Sequence, residues 1–324
     1  MASAAADSPA THVQGPSMRH LLAALLALPL LAACGPSAEP STESAPLDSG
    51  AQTQEVSALR ERSVTLSTGV TLQYVEQGAR NGPVVVFLHG YTDSHHTWDL
   101  NLGIFPRSFH VYALDQRGHG DSSRPECCYT QQDFAADVVA FLDAIGAEQA
   151  ILVGHSMGSF IAQQVALDYP DRVQALVLVG SAPTVAGNEV ALFLKDIVDQ
   201  QVGTVDPAFV REFQVSTFVR PVPSRYIDTL VSESLKVPAR VWQATLDGLI
   251  AEDHSARLGE IDVPVLVVGG DQDGFFPVAQ QQALVDALPN ASFILYPNTG
   301  HAPHAELSHR FVHDVQRFLK SVTK

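Results

Sequence analysis

The sequence predicts a doubly wound, mostly parallel α/β sheet covered by helices, with a helical cap inserted after the sixth strand. Three observations predict it. Short β-branched runs alternate with longer segments of helical period. Several runs, such as Val84-Val85-Val86-Phe87-Leu88, are apolar at every position, as in strands buried on both faces. The alternation stops between about Thr184 and Arg257, where helical-looking stretches carry Phe193, Phe209, Phe213, Phe218, Tyr226 and Trp242 without a strand signal.

The N-terminus is read as targeting sequence rather than fold. Met18-Arg19-His20 precedes thirteen apolar residues, Leu21–Ala33, and then Cys34. Thirteen residues span about 20 Å as a helix, short of a ~30 Å bilayer core. A basic start, a short apolar run and small residues before a cut have the layout of a secretory signal. Leu31-Ala32-Ala33-Cys34-Gly35 resembles the lipobox of bacterial lipoproteins, which implies a lipid-modified Cys34 at the mature N-terminus. Arg19 is the only Lys or Arg before Arg60, a thin basic region for such a signal. Met1–Ser17 is Ala/Ser-rich and fits no part of a signal, so Met18 is the expected start. Residues 1–33 are therefore assigned to an upstream extension and signal peptide. Residues 34–59, rich in Pro, Ser, Thr and Glu, form a tether that buries too little surface to order itself. The expected location is the bacterial cell envelope, with membrane contact only through the lipid anchor.

The folded domain begins near Arg60. Strand signals lie at Val70–Val75, Val84–Leu88, Val111–Leu114, Ala150–Val153, Ala175–Val179, Val263–Val268 and Ser292–Tyr296. Gln131–Ile145 sets Phe134, Val138, Phe141, Leu142 and Ile145 on one helical face. Ser159–Tyr169 is closed by Pro170, and Ala279–Leu288 by Pro289. The core thus falls into residues 60–183 and 258–324, with the cap at 184–257.

Composition narrows the chemistry. Lys plus Arg total 19 against 35 for Asp plus Glu, a net charge of −16 with no visible basic patch, which argues against nucleic acid as a partner. Three cysteines make no disulfide framework and no zinc pattern with histidines. Adjacent Cys127 and Cys128 have Cα atoms only ~3.8 Å apart, below the usual disulfide range, so a bridge between them would be strained and free thiols or modest pocket lining is the default expectation.

Gly154-His155-Ser156-Met157-Gly158 follows a strand and precedes a helix, the context of a G-x-S-x-G nucleophile elbow. A sharp turn there holds Ser156 above the sheet, and flanking glycines leave room for a strained backbone. The following helix aims its free N–H groups at developing negative charge. Here the chain resembles the α/β-hydrolase superfamily from about Arg60 to Lys324, which implies an eight-stranded sheet. Phe87-Leu88-His89-Gly90-Tyr91 looks like the family's His-Gly-x turn, which implies that the backbone N–H groups of Tyr91 and Met157 form an oxyanion hole. Asp115-Gln116-Arg117-Gly118-His119-Gly120-Asp121-Ser122 resembles a structural turn of the family. Gly269-Gly270-Asp271-Gln272-Asp273 resembles the segment carrying the triad acid, and Gly300-His301 the late Gly-His that supplies the base.

Asp271 and Asp273 both lie just beyond the seventh strand. Counting from Gly270 favours Asp273, with Asp271 as a turn-former. Among thirteen histidines, only His301 follows a late strand in a Gly-flanked loop. His155 reads as packing beside the elbow. His95-His96 reads as a pocket mouth or a solvated loop, and His309/His313 as a polar helix face without a third zinc ligand. The expected machinery is Ser156, Asp273 and His301 acting through an acyl-enzyme, with no metal or organic cofactor. A serine, rather than an aspartate, at the elbow removes attack on an alkyl carbon. The substrate class expected is a carboxylic ester of an apolar acyl or alcohol group, the acyl group small or medium. A lactonase, an amidase or aminopeptidase, and an inactive tethered binding module remain as alternatives.

Overall fold

The computed structural model describes residues 59–323. The signal segment, Cys34 and the tether up to residue 58 lie outside the described residues. Eight strands form one sheet: β1 (Arg60–Thr65), β2 (Thr71–Gly78), β3 (Val84–Leu88), β4 (His110–Leu114), β5 (Ala150–His155), β6 (Val173–Val179), β7 (Val265–Gly270) and β8 (Ala291–Tyr296). Their spatial order is β1-β2-β4-β3-β5-β6-β7-β8. β2 runs antiparallel to both β1 and β4, and every other pairing is parallel. Central strands β3, β4, β5 and β6 are almost wholly buried, as their unbroken apolar runs require. β1 carries no apolar run. Arg60, Glu61 and Arg62 give it a polar, exposed character suited to an edge that must not template further pairing.

Helices α1 (Gln131–Ala144), α2 (Met157–Asp168), α7 (Val278–Ala287) and α8 (Ser308–Val322) belong to the sheet layers. α1 opens with a reciprocal cap. The Asp133 N–H donates to Thr130 Oγ1, and the Thr130 N–H donates back to Asp133 Oδ2 at 2.9 Å. α2 begins two residues before the expected Ser159, directly on the serine, and its first eleven residues are buried. α8 lays Phe311, Val312, Val315 and Leu319 on the main core with Phe87, Trp98 and Val111.

Between β6 and β7 the chain forms four helices: α3 (Glu189–Val198), α4 (Pro207–Ser216), α5 (Ser224–Lys236) and α6 (Ala239–Ile250). Asn188 caps α3 and Asp206 caps α4, while Pro223 and Pro238 precede α5 and α6. A bridge between Thr184 and Asp253 joins the two ends of this insertion.

Asp115 organises the turn after β4. Its carboxylate accepts the backbone N–H of His95 at 2.8 Å and of Asp121 at 2.9 Å, and it also pairs with His95 Nδ1. Those contacts hold its carboxyl down, at a pKa of about 2, despite burial. Gly120 has φ +51, and a Cβ there would lie 2.2 Å from Asp115 Oδ2. Arg117 makes a two-pronged pair with Asp137 of α1, at 2.6 and 2.7 Å.

One expectation is corrected. Cys127 and Cys128 are joined as a vicinal disulfide with their Cα atoms 3.8 Å apart, rather than standing as free thiols. Cys128 adopts φ +76, a left-handed conformation uncommon outside glycine that accompanies the bond between neighbouring residues.

Candidate active site

Ser156 occupies the one-residue junction between β5 and α2, with φ +50 and ψ −119. Such a conformation is costly for a residue with a Cβ, so its surroundings must hold it. The Ser156 N–H donates to Val179 O at 2.9 Å, and its carbonyl accepts the N–H of Ser159 at 2.8 Å. A Cβ on Gly154 would lie 2.2 Å from Gly158 O, and one on Gly158 would lie 2.2 Å from Leu88 O. Both glycines are therefore needed for the helix to start this close to β3. Met157 is the first residue of α2, so its N–H has no acceptor within the helix.

The turn after β3 puts Gly90 and Tyr91, the second expected donor, on the same cavity as Ser156. His89 is fully buried, and burial pushes its pKa down to about 4. Its neutral ring accepts the Gln116 N–H at Nε2 and so donates from Nδ1 to Gly90 O, at 3.0 and 2.8 Å. This fixes the tautomer and ties the turn to the one after β4. The Tyr91 side chain points away into the cap, where its hydroxyl donates to Trp242 O at 2.7 Å and its ring packs edge-on against Trp242.

Asp273 and His301 come together although 28 residues separate them. His301 Nδ1 lies 2.9 Å from Asp273 Oδ2, and both side chains are buried. The other oxygen, Asp273 Oδ1, accepts the backbone N–H groups of Phe275 and Phe276 at 2.8 and 3.0 Å. The acid is thus held from both sides, and the ring presents Nε2 as its free nitrogen. Asp271 does not join them. It is exposed, and its side chain accepts the Thr299 N–H at 3.3 Å across the neighbouring loop.

A single cavity is lined by Ser156, His301, Gly90 and Tyr91. Its remaining wall is mostly apolar and comes largely from the insertion, including Leu194, Phe213, Phe218, Leu230, Leu246 and Leu249. His155 also lines it. Burial holds its ring far below the ordinary histidine pKa, so it stays neutral, and its Nε2–H donates to His301 O at 3.1 Å. It supports the base loop. His95 and His96 are not part of the wall; they pair with Asp115 and Asp99. Among the described residues no group of three or more His, Cys, Asp or Glu side chains could hold a metal.

Three residues of the site carry no sequence signal. Asp93 lines the cavity three residues beyond Gly90, Gln214 reaches it from α4, and Glu306 sits behind the His301 loop. No local spacing marks them, because the contacts that bring them to the insertion, Asp93 with Gln214 and Glu306 with Arg220, join distant parts of the chain.

Comparison with known proteins agrees with this fold. A family model described as the alpha/beta hydrolase fold matches residues 83–221. The chain is 28% identical to a pimeloyl-[acyl-carrier protein] methyl ester esterase of Nitrosomonas europaea, over 72% of this chain and 94% of that one. It is 30% identical to a 2-hydroxy-6-oxononadienedioate/2-hydroxy-6-oxononatrienedioate hydrolase of Paraburkholderia phymatum, over 78% of this chain and 92% of that one. The solved structure of the esterase RhEst1 from Rhodococcus sp. ECU1013 superposes with a TM-score of 0.69 at 26% identity, covering 82% of this chain and 99% of that one. The eight-stranded sheet, the strained serine at the β5–α2 junction and relatives matched along nearly their whole length lead to one conclusion: the chain belongs to the α/β-hydrolase family and is a hydrolase.

Proposed function

We propose that the protein hydrolyses carboxylic esters of apolar acyl or alcohol groups through an acyl-enzyme on Ser156. The observation that carries this reading is the buried 2.9 Å pair of His301 Nδ1 and Asp273 Oδ2, whose ring lines the same apolar cavity as Ser156. His301 Nε2 takes the Ser156 hydroxyl proton as Oγ attacks the carbonyl carbon. Asp273 holds the tautomer and stabilises the imidazolium that results. The N–H groups of Tyr91 and Met157 receive the oxyanion, where one such donor is typically worth ~2.7–4 kcal/mol. The imidazolium then protonates the leaving alcohol, and water repeats the sequence to free the acid.

The insertion supplies the selectivity. The reacting groups see only the carbonyl, whereas Leu194, Phe213, Leu246 and Leu249 meet the rest of the substrate. Each methylene buried there contributes ~0.8 kcal/mol, roughly fourfold in kcat/KM. On p-nitrophenyl esters, kcat/KM should therefore climb with acyl length to a limit, and truncating Phe213 or Leu246 should move that limit. A flat profile, or a preference for lactones or aminoacyl amides in the same screen, would refute the ester reading.

We also propose that the mature protein begins at a lipid-modified Cys34 and stands on a cell-envelope membrane by its tether. The support is the Leu-Ala-Ala-Cys sequence after a short apolar run. Mass spectrometry of membrane-extracted protein should find an acylated Cys34 at the N-terminus. Soluble protein that retains Leu31–Ala33 would refute it.

A further inference from the structure

Asp93 is a carboxylate inside the catalytic cavity that the proposed ester chemistry does not use. It is 6% exposed and lines the same wall as Ser156 and His301. Oδ1 accepts Gln214 Nε2 at 2.8 Å, and Oδ2 accepts the Thr97 hydroxyl at 3.0 Å. Both donors are neutral. No Lys or Arg is among the described residues that line the cavity. An ionised carboxylate has about four acceptor positions, so two donors leave acceptor capacity unused on a group that lines the cavity.

Its location makes the charge consequential. Asp93 Oδ2 would lie only 3.2 Å from a Cβ on Gly90, the residue before the proposed oxyanion donor Tyr91. A bare negative charge there opposes the build-up of an oxyanion, and low dielectric strengthens that opposition. A productive complex therefore needs something positive, or a proton, beside Asp93. The aromatic residues Phe213, Phe218 and Tyr226 line the same cavity, a composition that suits an organic cation.

We propose that Asp93 is a specificity-determining residue that receives a positively charged ammonium group on the substrate, so that the preferred ester is cationic as well as apolar. The inference rests on the ester reading above and names the class of ester. It explains a buried acid without a basic partner: the substrate supplies the counter-charge and leaves with it. Burial raises the Asp93 pKa to about 6, with the Gln214 and Thr97 hydrogen bonds acting against the rise. At pH 8 the group is ionised, so the test is run there. The other charged groups acting on it are His301, which favours its ionised form, and Glu233, which opposes it.

The experiment compares 2-(trimethylammonio)ethyl butanoate with its uncharged carbon isostere, 3,3-dimethylbutyl butanoate, at pH 8. The wild-type kcat/KM should favour the cationic ester by ~10-fold or more, as expected for a desolvated cation–π and charge contact. In Asp93→Asn the ratio should collapse towards one. Calorimetry on Ser156→Ala separates this inference from the ester reading, because it needs no turnover. (2-Hydroxyethyl)trimethylammonium should bind at least ~10-fold more tightly than 3,3-dimethylbutan-1-ol by the same argument. Cation binding without ester turnover would sink the ester reading and keep the ammonium site. A wild-type ratio near one in both assays, or a preference that survives in a folded Asp93→Asn protein, would overturn the ammonium site. The wild-type ratios decide even if that variant fails to fold.

Discussion

Glu306 holds Gly300, the residue before His301, through a 2.9 Å hydrogen bond from the Gly300 N–H to Oε1. Its Oε2 accepts the N–H of Arg220 at 2.7 Å, in the segment that joins α4 to α5. The His301 N–H donates to Thr217 O of the same segment at 3.0 Å. One buried acid therefore fastens the histidine loop to the insertion. Burial raises its pKa, while the backbone N–H groups it accepts oppose the rise. Replacing Glu306 with Ala should cut kcat by roughly 10- to 100-fold, the usual cost of a reacting group displaced by about an ångström. Glu306→Gln should fall between Ala and wild type, because its amide accepts at one oxygen only. Steady-state kinetics, with KM compared against kcat, check both. An unchanged kcat in Glu306→Ala would show that the loop holds without this bridge.

Asp273 and Asp271 are distinguished by the same kind of measurement. Asp273→Asn should lower kcat by about three to four orders of magnitude, because the asparagine no longer sets the His301 tautomer. Asp271 is exposed and its side chain accepts the Thr299 N–H at 3.3 Å, away from His301, so Asp271→Asn should leave kcat nearly unchanged. A deeper loss at Asp271, in a protein with normal circular dichroism, would exchange the two roles.

Gly158→Ala tests how closely α2 must approach β3. The added methyl would meet Leu88 O at 2.2 Å and His89 O at 2.7 Å, backbone atoms that cannot swing aside. Overpacking of this kind typically costs about 1–3 kcal/mol. Denaturant titration should show at least that loss, together with slower labelling of Ser156 by a small phosphonate. Normal stability would mean that the helix tolerates a shift at its first turn.

Asp115 gives a pH-dependent test of the fold. Its folded pKa lies near 2, below the ordinary aspartate value of 3.8. A depressed carboxyl stabilises the folded state above its unfolded pKa, and that contribution disappears as pH falls from about 4 towards 2. The shift corresponds to about 2 kcal/mol. Asp115→Asn should therefore be less stable than wild type at pH 7 by about that amount, with the gap narrowing through this acid window. Urea melts at several pH values check it, and a gap constant with pH would rule out this origin.

Much of the fold was legible because burial on two faces leaves an unbroken apolar signature. Val84–Leu88, Val111–Leu114 and Ala150–Val153 stand out for that reason and lie within β3, β4 and β5. β1 was not legible: it is exposed at nearly every position and is defined by its register with β2, from Arg60 opposite Glu76 to Thr65 opposite Thr71. A helix start is obscured where the capping residue is itself the special one. Ser156 serves as the N-cap of α2 without a side-chain capping bond, so no ordinary cap pattern announced it.

The local sequence by itself determined the Gly154–Gly158 turn, the strand that feeds it and the helix that leaves it, because those preferences act between neighbours in the chain. It also determined that the aromatic-rich stretch 184–257 could not extend the sheet. Position in the chain favoured Asp273 over Asp271, but the pairing itself is a tertiary fact, since one residue faces a buried imidazole and the other faces solvent. Only the tertiary structure brought Asp93, Gln214 and Glu306 to the site, through contacts spanning 121 residues for Asp93 and Gln214 and 86 for Arg220 and Glu306. Spacing along a chain carries no record of such pairings; they exist because packing removes water and makes a partner worth finding for most buried polar groups.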